Sequence, residues 1–134
     1  MDTRSAQLGG AADVREYAAR AASTDTFGRV LCTVRNHHFV IDGPVQNGCP
    51  GEEVTPAELF LAAVASCGAE LLQVLARQRE MPVPTVNVYI RGIQDRSNPA
   101  RPDYSVFNTV HMRFHLKGVS QQQGADLIEA FKRR

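Results

Sequence analysis

The chain has 134 residues, of which 43% are hydrophobic and 22% charged, and a formal net charge of +1. That length makes one domain with a sizeable core. The near-neutral balance, with 15 Lys and Arg scattered along the chain, argues against a nucleic-acid module driven by phosphate neutralisation. Three cysteines exclude a disulfide-dense secreted scaffold, and MDTRSAQLGG lacks the apolar run of a signal peptide, so a reducing cytoplasmic setting is expected.

Residues 1–26 read as a polar lead-in ending in Gly9-Gly10, then a short helix over Val14–Ala22 with Asp13 and Glu16 as a capping box. Residues 27–134 read as the core. Val30, Cys32 and Val34 alternate with Leu31, Thr33 and Arg35, which predicts a strand; His37–Asp42 follows closely enough to pair with it as a hairpin. A loop of turn formers comes next: Gly43, Pro44, Asn47-Gly48, Pro50-Gly51.

Thr55-Pro56-Ala57-Glu58 marks a helix start, with Thr at the cap, Pro in the first position and Glu reaching back. The helix runs to Met81-Pro82, about 25 residues or roughly 37 Å. Its first two-thirds are apolar on every side. A helix of that kind must be enclosed, and a chain this short predicts that a second subunit supplies part of the cover. Ser66, Glu70 and Gln73 interrupt the apolar run Leu59–Ala76, which favours a buried helix over a membrane span.

Val86, Val88 and Ile90 alternate with Asn87, Tyr89 and Arg91. After a polar loop, Tyr104–Leu116 reads as a long strand, with Val106, Val110, Met112, Phe114 and Leu116 on one face and Thr109, His111, Arg113 and His115 on the other. Leu127, Ile128 and Phe131 stripe a closing helix capped by Ser120. The predicted class is α+β, an antiparallel sheet packed on a long central helix in one domain, residues 1–134.

Few residues carry chemistry. Cys67, within Ala65-Ser66-Cys67-Gly68, lies too deep in its helix to be aided by the dipole, and by spacing alone reads as a small hydrophobe. Cys32 reads as core. Cys49 sits in a turn, either an exposed bystander or a redox partner for Cys67. His111 and His115 are about 13 Å apart along a strand, too far to share a small ion, and no metal or cofactor motif is present. Glu58 reads as the capping residue, a role that can coexist with a catalytic one.

The stretch DGPVQNGCPGEEVTPAELFLAAVASCGAE, Asp42 to Glu70, resembles the OsmC and organic hydroperoxide resistance superfamily. Pro56, Glu58, Leu59 and Cys67 stand at the family's spacing, and the order of elements agrees over residues 28–134. The resemblance implies an intertwined homodimer with its long helices buried between two sheets. It also implies thiol-dependent reduction of organic hydroperoxides: Cys67 attacks the peroxide, becomes a sulfenic acid, and is resolved by a second thiol that an external dithiol then reduces. An arginine would hold the thiolate, Arg29 and Arg35 being the candidates on the preceding strand.

Three features depart from that pattern. Ala57 stands where the hydroperoxide resistance branch has a catalytic Glu. Glu58, the next residue, is nine helical positions from Cys67 and so on the opposite face. No Arg lies in the loop before Pro56, and no cysteine follows Cys67 within these 134 residues; the thiol that resolves the sulfenate is then Cys49, an external thiol, or one on a continuation of the chain past Arg134. These departures place the chain nearer the OsmC-like branch. Two alternatives to the peroxidase follow: a non-catalytic dimer binding a small apolar ligand, and a hot-dog-like thioesterase using Glu58. No membrane partner is expected.

Overall fold

The computed structural model describes residues 13–134, and the lead-in read in residues 1–10 lies outside them. The chain forms two compact units, one ending at Leu59 and the other starting at Phe60.

In the first unit, β1 (Arg20–Ser23), β2 (Arg29–Val34) and β3 (His37–Asp42) make an antiparallel sheet in that order. β2 and β3 are the hairpin that the alternation predicts. Val34 pairs with His37, leaving a two-residue turn, and Arg35 adopts φ 53°, the left-handed geometry such a turn needs to follow the strand twist.

The helix expected over Val14–Ala22 is not formed. Asp13 lies in a turn, Arg15 makes an isolated bridge, and residues 20–23 form β1, paired from Arg20↔Thr33 to Ser23↔Val30. The segment has high alanine content but no apolar stripe. Its helix propensity of a few tenths of a kcal/mol per residue is therefore outweighed by the open edge of β2.

After β3 the chain makes a 3-10 turn, Val45–Asn47, and Cys49 folds back against two glycines. A Cβ placed on Gly28 would fall 2.6 Å from Cys49 Cβ, and one on Gly43 2.9 Å away. Only glycine fits at either position. Cys49, expected to be exposed, is thus half-buried, and Cys32, expected in the core, is half-buried as well.

α1 spans Pro56–Gln78, 23 residues, and continues from the first unit into the second. It ends as Glu80 turns to φ 55° and Met81 N–H donates to Ala76 O at 2.9 Å, a left-handed helix stop just before Pro82. The second unit adds β4 (Thr85–Ile93), β5 (Thr109–Lys117) and α2 (Gln121–Lys132). β4 and β5 pair antiparallel from Thr85↔Lys117 to Ile93↔Thr109.

The strand expected from Tyr104 starts only at Thr109. β4 ends opposite that residue, so Tyr104–Asn108 have no ladder partner and join the loop. Asn108 closes the loop instead: its N–H donates to Ile93 O at 2.7 Å and its Oδ1 accepts from Asp95 N–H at 2.7 Å.

Burial alternates along β4 and along β5 from His111 onward, while Val110, expected on the inward face, is exposed. Val86, Val88, Ile90, Met112, Phe114 and Leu116 turn inward, and their neighbours are exposed. Leu72, Leu75 and Ala76 of α1 and Leu127 of α2 form the core, with Val86, Phe114, Leu116 and Phe131 packed against it. Complete burial of Leu72 and Leu127 contributes about 1.5–3 kcal/mol for each side chain. Gly68 lets α1 approach the sheet closely, since a Cβ there would lie 3.2 Å from Met112 Cε and Phe114 Cε1. Ser120 and Gln123 cap α2 reciprocally. The fold is α+β, with antiparallel sheets and one long helix.

Candidate active site

Cys67 lies in the second unit, midway along α1, as a free and exposed thiol. Its neighbour Gly68 is buried toward the sheet. One residue back is a 100° turn, so Cys67 lies off that contact. Phe60, Ala63 and Glu70 are also exposed, at the helical spacing that puts them on one stripe with Cys67. Glu70 thus stands one turn from the thiol, a neighbour that the i, i+3 spacing alone would have shown. Only 22% of the most apolar 18-residue window of α1 is buried. By length and composition alone α1 could also cross a membrane.

Glu58 is held in the capping box that the sequence predicts. Its Oε1 accepts from Thr55 N–H at 3.0 Å and from Thr55 Oγ1 at 2.9 Å, while Glu58 N–H donates to Thr55 Oγ1 at 3.3 Å. The Thr55 N–H and hydroxyl together hold its carboxyl below the usual carboxylate range. Nine positions separate Glu58 from Cys67 along α1, which sets them on opposite faces of the helix.

The two candidate arginines differ sharply. Arg35 is a turn residue, exposed between β2 and β3. Arg29 is tied into an ion-pair cluster. Its Nε donates to Asp42 Oδ1 at 2.8 Å, and its Nη2 to Asp42 Oδ2 at 2.9 Å and Glu52 Oε1 at 2.8 Å. Asp42 is fully buried, and Oδ2 also accepts from Glu52 N–H and Glu53 N–H, both at 3.0 Å.

The Arg29 guanidinium and the two backbone N–H groups hold the Asp42 carboxyl well below its ordinary range, outweighing the cost of burial. The same bonds, to Asp42 first and Glu52 second, raise the Arg29 pKa. One positive and two negative groups leave the cluster with a net negative charge. Neither Asp42 nor Glu52 was among the residues singled out from sequence, yet the signal was there: a hairpin with a two-residue turn at 35–36 necessarily puts position 29 opposite 42.

In the second unit, His111 pairs with Arg91 and His115 with Asn87 on the exposed sheet face. Among the described residues, no three His, Cys, Asp or Glu side chains come together as a metal site.

The fold is similar to that of known proteins. An OsmC-like protein from Mycoplasma pneumoniae aligns with a TM-score of 0.74 at 13% identity, over 90% of this chain and 82% of its own. An organic hydroperoxide resistance protein OsmC from Legionella pneumophila gives 0.64 at 21% identity, over 85% and 80%. The organic hydroperoxide resistance protein OhrB of Bacillus subtilis gives 0.57 at 17% identity, over 86% and 82%. No curated protein sequence matches the chain significantly. The family model for OsmC-like proteins matches residues 49–134, from Cys49 through α1 and Cys67 to the end of α2. That match covers more than half of the chain, which belongs to the OsmC-like protein family.

Proposed function

We propose that this protein is a thiol-dependent peroxidase that reduces organic hydroperoxides through Cys67. The observation that carries the reading is a free, exposed cysteine midway along the apolar helix of an OsmC-like chain. Structural neighbours with the same fold are described as organic hydroperoxide resistance proteins. A buried structural cysteine is inert, whereas an exposed one can meet a substrate.

The Cys67 thiolate attacks the distal peroxide oxygen. The O–O bond breaks, the alkoxide leaves and takes up a proton to become the alcohol, and sulfur is left as the sulfenic acid. A thiol then condenses with the sulfenic acid, forming a disulfide and releasing water. A second thiol reduces that disulfide and regenerates Cys67. We assign both thiols to an external dithiol rather than to Cys49, which packs closely against Gly28 and Gly43. The exposed stripe of Phe60 and Ala63 suits an apolar alkyl group. In this reading a second copy of the chain covers the rest of α1, and the protein works in the reducing cytoplasm. The test is turnover of an alkyl hydroperoxide with a dithiol reductant: Cys67→Ser must abolish it, and unchanged turnover overturns the assignment.

One observation favours the non-catalytic alternative. Arg29 already faces two carboxylates, so in this arrangement its charge is spent and it is a weak partner for a thiolate. If the protein instead binds a small apolar ligand, saturable binding persists in Cys67→Ser and hydroperoxide is not consumed. The thioesterase reading gains nothing, since Glu58 is engaged in capping α1.

A further inference from the structure

On the page of the sequence the basic residues are dispersed, but strand pairing gathers several of them. The outward face of β4 and β5 carries Arg91, His111, Arg113, His115 and Lys117, and no carboxylate. Three of these are permanent cations, more formal charge than the net +1 of the whole chain. The ion pairs among the described residues engage Arg29, Arg101 and Lys132, and none engages this face.

Arg91 lies directly opposite His111, and Tyr89 directly opposite Arg113. Arg91 and Arg113 are therefore diagonal neighbours, about 7–8 Å apart at the backbone, close enough for two guanidiniums to converge on one anion. The Arg113 guanidinium lies over the Tyr89 ring, 5.4 Å from its centroid, which steadies it without neutralising it. Between these side chains is an open cavity of about 370 Å³ lined by Tyr89, Arg91, His111, Met112 and Arg113. That volume is in the range of small-molecule sites. Like charges gathered without compensation work against the fold, and an anion seated among them relieves that repulsion.

We propose that this cavity binds a small phosphorylated or pyrophosphate-bearing anion, held by the guanidiniums of Arg91 and Arg113 with the His111 imidazole N–H as a third donor. Guanidiniums fit such groups because their planar N–H pairs match two oxygens at once. Unlike the proposed peroxidase chemistry, the site needs no contribution from Cys67. It stands or falls separately.

The experiment is titration of the full chain with inorganic pyrophosphate, followed by calorimetry and by NMR of the Tyr89 and Arg113 amides. Saturable one-to-one binding, weakened roughly tenfold or more in Arg91→Gln and in Arg113→Gln with the unfolding temperature not lowered, is the expected result. Cys67→Ser must bind as the unaltered chain does. Absence of saturation up to about 10 mM overturns the proposal, as does binding in both Gln variants as tight as in the unaltered chain. So does binding of a single-stranded oligonucleotide in place of pyrophosphate, which would make the face a surface for a macromolecular polyanion.

Discussion

Arg29 and Asp42 stand directly opposite each other across β2 and β3, and their side chains close a two-point ion pair of 2.8 and 2.9 Å. The backbone register and the charge pair specify each other. A one-residue slip would turn Arg29 to the other face and leave a fully buried carboxylate without its cation.

This pair sets an acid limit on stability. The Asp42 carboxyl titrates below its ordinary range when folded, so the unfolded chain binds more protons and stability rises with pH there. The contribution is complete above the unfolded aspartate range, near pH 4, and is lost as the pH falls through the lower folded value. Glu58 and Asp95 shift in the same direction and add to the slope. Unfolding temperature followed from pH 7 to pH 2 should fall most steeply below pH 4, and Asp42→Asn should flatten that limb while lowering stability at neutral pH.

In the core, Leu72→Ala and Leu127→Ala each remove a fully buried side chain from the contact between α1 and α2. Each should cost about 2–5 kcal/mol, read from chemical denaturation.

Capping is a smaller effect and can be separated from chemistry. Thr55→Ala removes the hydroxyl that accepts from Glu58 N–H and donates to Glu58 Oε1. A loss of about 1 kcal/mol is expected, with hydroperoxide turnover per folded molecule retained. A collapse of turnover at full stability would instead place the Thr55–Glu58 pair in the chemistry.

Gly92 is required by its neighbours. A Cβ there would lie 2.8 Å from Phe107 Cε1 and 3.1 Å from Leu61 Cδ2. Gly92→Ala should therefore displace the Phe107 ring, which stacks on Phe60 at 6.1 Å, and destabilise the second unit by about 1–3 kcal/mol. Unchanged denaturation would show that the loop yields freely.

Much of this architecture was legible where local and tertiary preferences agree. The β2–β3 hairpin, the capped start of α1, the alternation of β4 and β5 and the capped α2 all follow from patterns within a few residues. The misread segments are those decided by a distant partner. Residues 20–23 became a strand because β2 had an open edge, and Tyr104–Asn108 stayed a loop because β4 had already ended. The Arg29–Asp42–Glu52 cluster went unnoticed for a similar reason: it unites residues 13 and 23 positions apart, and only the hairpin register reveals the first of these pairings. The basic sheet face is likewise invisible until alternate residues of two strands are laid side by side.

The central claim is that Cys67 is the reacting sulfur. It is tested most directly by intact mass, followed by peptide mapping of the three cysteines, after one equivalent of an alkyl hydroperoxide without reductant. The account predicts rapid gain of one oxygen on Cys67, reversed by a dithiol, with Cys32 and Cys49 unchanged. Three thiols surviving unmodified would contradict it.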